Sequence, residues 1–367
     1  MKKIIALLLA LLLGITLLAG CGGNTTSEPP SDTEDEQTSA AEESTEDVSE
    51  ESPDESSEEP AINPADGEPF KGDTFSKMVG TVNLDSEWLS FEEPLVVDDI
   101  FNAEIAIAGD SYCVLTDGKA GLYTLKDGKF ILDKELDLGE EYDQVCNDKD
   151  GNLYFSKFMR DFIAFDKDGK QLFAHSGTEK VFMHPSGEWG LSWFMKPDEV
   201  KKVILKDGAI SFEDMSFEGP ESISHLCISE NYIFLTGGLK KEDDKTDHAI
   251  FVYDLKGKLK YTLGGGEFGE PDSLGSVTRV IETESGFLAL DGNMRNVCLW
   301  KSDGTLIGSV KDGDMFGTGY PWMSTAVLAS DGSILVGLTE ERADKSAKEF
   351  IVYKLTGFGS ADGTVQV

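Results

Sequence analysis

Ser276-Val-Thr-Arg-Val-Ile-Glu-Thr-Glu-Ser-Gly286-Phe-Leu-Ala-Leu-Asp-Gly-Asn-Met-Arg-Asn296-Val-Cys-Leu-Trp-Lys-Ser-Asp-Gly304-Thr-Leu-Ile-Gly-Ser-Val310 holds four short apolar runs with turn residues between them. Val, Ile, Leu, Phe and Trp fill the runs, as a pleated, half-buried backbone requires. The pattern places strands at 276–282, 286–290, 296–301 and 305–310. Between the last two, Ser302-Asp-Gly304 supplies a hairpin turn, where a positive φ is open to Gly without steric strain. Four successive antiparallel strands of this length make one blade of a β-propeller, so this stretch decides the fold class.

The same unit recurs along the chain. Turn glycines stand at Gly128, Gly169, Gly208, Gly257, Gly304 and Gly357, spaced 39 to 53 residues apart. Four positions before five of them are Phe165, Ile204, Tyr253, Trp300 and Tyr353. That interval matches one four-stranded blade per repeat. First strands are expected to begin near Ala103, Tyr142, Lys180, Ser222, Ser276 and Trp322, which gives an all-β, six-bladed β-propeller over 69–367. The sixth unit ends soon after Gly357 with three convincing runs. Glu87-Trp-Leu-Ser-Phe91 is expected to supply its fourth strand and close the ring, leaving no open sheet edge there.

Within the fifth unit, Phe268-Gly-Glu-Pro271, Phe287-Leu-Ala-Leu-Asp291 and Asn293-Met-Arg-Asn-Val-Cys-Leu-Trp300 resemble the NHL-repeat group of six-bladed propellers. Asn152-Leu-Tyr-Phe155 and Arg160-Asp-Phe-Ile-Ala-Phe165 echo it in the second. The likeness is good in units two and five, partial in one and six, and poor in three and four. It implies a propeller; since the group holds binding modules and enzymes alike, it does not imply an activity.

At the other end of the chain, Lys2 and Lys3 precede an apolar run, 4–17, too short to span a bilayer, which closes on Leu18-Ala-Gly-Cys21. That stretch resembles the bacterial lipoprotein family's motif, which implies cleavage after residue 20 and diacylation of Cys21. The expected organisation is a signal peptide at 1–20, a lipidated Cys and tether at 21–68, and the propeller at 69–367. Gly22 and the long acidic tether look like a Gram-positive lipoprotein, so the expected location is extracytoplasmic, at the cell membrane. Residues 24–68 carry 17 acidic side chains, no Lys or Arg, and no aromatic residue. With nothing to bury against its ordering entropy, such a segment is expected to be disordered and to reach about 35–40 Å as a flexible coil.

Of the net charge of −37, 17 negative charges belong to that stretch and two lysines to the leader, so about −22 remains on the rest. An acidic surface of this kind repels phosphate backbones, which argues against nucleic-acid binding. A monomeric domain is expected. Cys113, Cys146, Cys227 and Cys298 each lie in β-like runs with no disulfide-framework spacing, and read as buried free thiols.

Several apparent motifs fail on context. Gly264-Gly-Gly-Glu-Phe-Gly269 is followed by Pro271 and Asp272 where a phosphate-binding helix would open, and reads as an inter-blade loop. Asp148-Lys-Asp-Gly-Asn152 lacks the closing Glu of a calcium loop and reads as a turn. His175, His184, His225 and His248 show no metal spacing, and no Gly-x-Ser-x-Gly elbow occurs. No cofactor motif remains.

Arginine gives a sharper pattern. The chain has only four, against 28 lysines. Arg160, Arg295 and Arg342 fall at loops between second and third strands, and Arg279 falls early on a first strand, so all four are expected to border one face. Arg suits bidentate recognition of carboxylate or phosphate. Tyr320, Trp322 and Phe316, entering unit six, map to the same face. These residues are the expected rim of a binding module for a protein, peptide or envelope glycan. The competing expectation is that Asp161, Asp291 or Asp344 holds each Arg in a structural pair. Two further alternatives are an architectural subunit of an envelope complex, and a calcium-dependent lactonase-like hydrolase. The hydrolase needs Glu104, Asp143, Gln144 and His225 to converge on a metal ion.

Overall fold

The computed structural model describes residues 67–358, apart from 99, 102, 194–195, 207, 241–245 and 320. The leader, Cys21, the acidic tether up to residue 66 and Tyr320 lie outside the described residues. Among those described, the chain is almost entirely β-strand, with one 3-10 turn at Pro197–Glu199 and one short helix at Asp312–Phe316. The fold is a β-propeller built of four-stranded antiparallel meanders.

The quoted stretch forms Val277–Thr283, Gly286–Asp291, Asn296–Lys301 and Leu306–Lys311 in one four-stranded sheet. Three more such sheets open with Gln144–Asn147, Lys180–Met183 and Ser222–Ile228. The remaining sheet has ten strands. It contains a meander from Glu104–Ala108 to Lys129–Leu136 and another from Trp322–Leu328 to Lys348–Thr356, which Val82–Phe91 extends. Asp85 to Leu89 pair antiparallel with Thr356 to Val352, so the N-terminal chain supplies the outermost strand of the last meander. The next two residues, Ser90 and Phe91, pair parallel with Lys129 and Phe130. Gly357 permits the crossing: its φ is +96°, and a Cβ there would lie 2.0 Å from the Asn83 carbonyl.

Strands that open successive meanders are neighbours, and Trp322–Leu328 lies beside both Val277–Thr283 and Glu104–Ala108. Their inner edges have no ladder partner, yet buried backbone groups need one. Side chains provide it. Asn147 accepts from the Ile107 N–H at 3.0 Å, Ser156 from the Val181 N–H at 3.0 Å, and Thr325 from the Ile105 N–H at 3.4 Å. Thr236 donates to the Val277 carbonyl at 3.2 Å and Thr278 to the Met323 carbonyl at 2.8 Å. His184 meets the Glu230 carbonyl at 3.3 Å.

Apolar clusters fill the spaces between adjacent sheets. Leu89, Ile105 and Phe130 pack with Leu335, Phe350 and Val352 where the first and last meanders meet. Cys113, Cys227 and Cys298 are buried and Cys146 is partly so; all four are free thiols. Burial raises the pKa of each, to about 12 for Cys146 and Cys298, which leaves them poor nucleophiles at neutral pH. The Gly264–Gly269 segment links Leu259–Gly264 to Val277–Thr283, as a loop between meanders. Asp148 accepts from the backbone N–H groups of Asp150 and Asn152, both at 2.9 Å, which makes its stretch a side-chain-capped turn.

Candidate functional site

In each meander the start of the first strand, the second-to-third turn and the link from the preceding meander lie at one end. Arg160, Arg295 and Trp322 fall at that end, as do Phe101, Phe158, Met159 and Phe268. Phe101, Met159 and Phe268 are 59 %, 74 % and 88 % exposed. Trp322 is half-buried, with its ring edge-on to Phe101 at 4.9 Å between centroids. Phe316 does not belong to this rim. It is fully buried at the end of the short helix, and its carbonyl accepts from the Tyr353 hydroxyl at 2.6 Å.

The four arginines do not form a common rim. Arg160 is exposed and pairs with Glu140 at 3.4 Å. Arg295 sits in the left-handed region at φ 58°, donates two hydrogen bonds of 2.9 Å to Asp312 and donates another to the Gly319 carbonyl at 2.8 Å. Arg342 is buried; it donates to Glu349 and to the Gly67 carbonyl, while Glu349 also accepts from the Phe70 N–H at 3.1 Å. That pair fastens the start of the domain to its last meander. Arg279 is buried inside the channel, not on its edge.

Other carboxylates than those expected do this pairing, three of them glutamates. Asp291 is fully buried, and it accepts from the N–H groups of Gly275, Ser276, Asn293 and Met294 at 2.6 to 3.1 Å. It fastens two loops of one meander and leaves Arg295 to Asp312. Asp344 is engaged by Ser346, which donates at 2.7 Å from its hydroxyl and 2.9 Å from its backbone.

The channel is crossed by a polar ring. Glu104, Gln144, Lys180, His225, Arg279 and Thr325 hold equivalent places on their strands, opposite Leu115, Ser156, Trp193, Thr236, Leu290 and Gly337. Register shifts at Ile223/His225, Val277/Arg279 and Met323/Thr325 insert one extra residue before the polar one. Such bulges re-aim side chains. Arg279 donates to Glu104 on the first meander, to His225 on the fourth and, at 2.8 Å, to its neighbour's Thr278 carbonyl. Burial is the strongest single influence on Arg279 and opposes its charge, but Glu104 and the nearby Cys227 and Cys146 together outweigh it, and the guanidinium pKa lies above its ordinary value. Burial drives the His225 pKa well below its usual value, and Arg279 and Lys180 add to that shift, so the imidazole is neutral and accepts from Arg279.

This arrangement does not fit a calcium ion. Glu104 and His225 are both engaged by the Arg279 guanidinium, and Lys180 sits 3.2 Å from Asp143. The cations of this ring are therefore side chains. Among the described residues no group of three or more His, Cys, Asp and Glu is placed to hold a metal.

Sequence reasoning singled out Glu104, Gln144, His225 and Arg279, but did not place them in one ring. The signal was present in Ile223-Ser-His225, Val277-Thr-Arg279 and Met323-Ser-Thr325, where an apolar residue, a hydroxyl and a polar residue recur at the same point of three units.

No family model and no curated protein matches the sequence. Among solved structures, the crystal structure of the WD40 beta propeller domain of Doa1 is similar to the chain at a TM-score of 0.45 and 11% identity, covering 80% of this chain and 91% of that one. The propeller assignment rests on the strand pairing itself.

Proposed function

We propose that this protein is a membrane-tethered, extracytoplasmic interaction module: a six-bladed, NHL-like propeller carried on a lipidated Cys21 by the acidic tether, with a protein or peptide as its partner. The observation that carries the reading is that Phe101, Met159 and Phe268, all strongly exposed, stand on loops of one end, where Arg160 and Trp322, edge-on to Phe101, also fall. Aromatic, Met and Arg side chains are enriched in protein interfaces, and large exposed apolar groups on one face mark such sites. A closed count of six is supported by six first strands, each beside the next and the last beside the first, and by the antiparallel pairing of Val82–Phe91 with Lys348–Thr356. The apolar-rimmed end favours binding over hydrolysis, since Glu104, His225 and Arg279 of the polar ring are committed to one another.

The test is cross-linking of the full-length protein in its own envelope. A Phe101→Ser, Met159→Ser, Phe268→Ser, Arg160→Ala variant is expected to lose partner cross-links. A control carrying Leu172→Ser and Leu259→Ser, exposed on outermost strands, is expected to retain them. Undiminished cross-links in a folded rim variant would reject the reading.

A further inference from the structure

Beyond the polar ring, on the side away from the rim, the channel widens into a cavity of about 530 Å³. Small-ligand sites occupy roughly 300–1,000 Å³. The walls come from the far halves of the first strands and are apolar, with Phe182, Met183, Leu226, Val280, Ile281 and Val327. Ile281 and Val327 are only partly buried. Hydrocarbon placed there would leave water.

The mouth has the opposite chemistry. Asp148, Glu230, Glu282 and Glu284 stand around it with a single base, Lys149. Two of these carboxylates are fixed in position. Asp148 also accepts from the Tyr154 hydroxyl at 2.8 Å, and Glu282 accepts from the Ser229 hydroxyl at 2.5 Å and the Asn231 amide at 2.9 Å. Glu230 and Glu284 are exposed. At the floor the Arg279 charge is matched by Glu104, so it does not offset the mouth. Clefts lined by one sign of charge, with walls of low dielectric, focus their field on an incoming ion.

We propose that this cavity binds a small amphipathic cation, its hydrocarbon body against the walls and its ammonium among the mouth carboxylates. An anionic amphiphile meets the same walls but a repelling mouth. At the mouth it finds four carboxylates to one lysine, and at the floor it gains the Arg279 charge only by taking it from Glu104, stranding a buried carboxylate. The site is separate from the rim and does not depend on the partner reading.

The experiment titrates octyltrimethylammonium, below its micelle concentration, into the full chain by calorimetry, with octyl sulfate and octyl glucoside in parallel. One saturable site is expected, at least roughly tenfold tighter for the cation than for the sulfate, and weakened by added salt. Glu230→Gln with Glu284→Gln is expected to weaken the cation roughly three- to tenfold and leave the glucoside unchanged. Val327→Trp is expected to abolish binding of all three; if it fails to fold, Leu328→Trp at the exposed mouth supplies the same block. Equal or tighter binding of octyl sulfate, no saturable binding of the cation, or cation binding that survives the folded Trp variant would each overturn the proposal.

Discussion

Arg279 joins residues 175 positions apart in the chain through its bond to Glu104, and it adds to the burial that keeps His225 neutral. Glu104→Gln removes one charge of a buried pair and leaves the other uncompensated. The expected cost is about 3–5 kcal/mol, read as a lower denaturant midpoint. Glu104→Gln combined with Arg279→Met removes both charges and is expected to recover part of that loss. His225 makes stability depend on pH. Its folded pKa lies below its unfolded value of about 6.5, so the unfolded chain takes up the proton first as pH falls. Its contribution is fully present above about pH 6.5 and declines below it. In denaturant titrations between about pH 7 and 5, His225→Gln is expected to show a shallower loss of stability than the parent. At this scale the residues were legible and their partners were not. Arg295 is followed by Asp303, Asp312 and Asp314 and preceded by Asp291. Only the folded turn selects Asp312, because Asp291 is consumed by four backbone N–H groups.

Strands of the quoted stretch fall within about one residue of their expected bounds. Their alternation and turn residues are strong local signals. Phe75–Val79 and Leu95–Val97 were not read, since the first exposes Ser76, Lys77 and Met78 and the second has three residues. Both are strands because of their neighbours, Val82–Phe91 and Lys348–Thr356. The short helix at Asp312–Phe316 likewise has too few residues to show a period. Between first strands, hydroxyl side chains replace the missing ladder. Thr278 donates to Leu290 at 3.4 Å as well as to Met323. Thr278→Val keeps the shape and removes both bonds, leaving the Met323 carbonyl without this donor. A loss of about 1–3 kcal/mol is expected by denaturant titration, with faster amide exchange along Trp322–Leu328.

The whole molecule has two ends of different character: one edged by exposed aromatic side chains, the other by carboxylates around an apolar cavity. Attachment through Cys21 would present both to the cell exterior. Under that proposal Cys21→Ser is expected to move the protein from the membrane fraction to the soluble one without altering the propeller's thermal transition; retention in the membrane fraction would count against the anchor. The blade period, the strand that completes the last meander and the acidic balance could all be taken from the chain alone, because each is written in local alternation, turn chemistry or composition. Whether an arginine is offered to a ligand or committed to a carboxylate could not. That choice depends on which strands the ring brings face to face, and a two-residue alternation says which side of a sheet a residue occupies without saying what stands across from it. The same closure that buries Arg279 against Glu104 leaves the cavity beyond them, a space that belongs to six strands together and to none of their sequences singly.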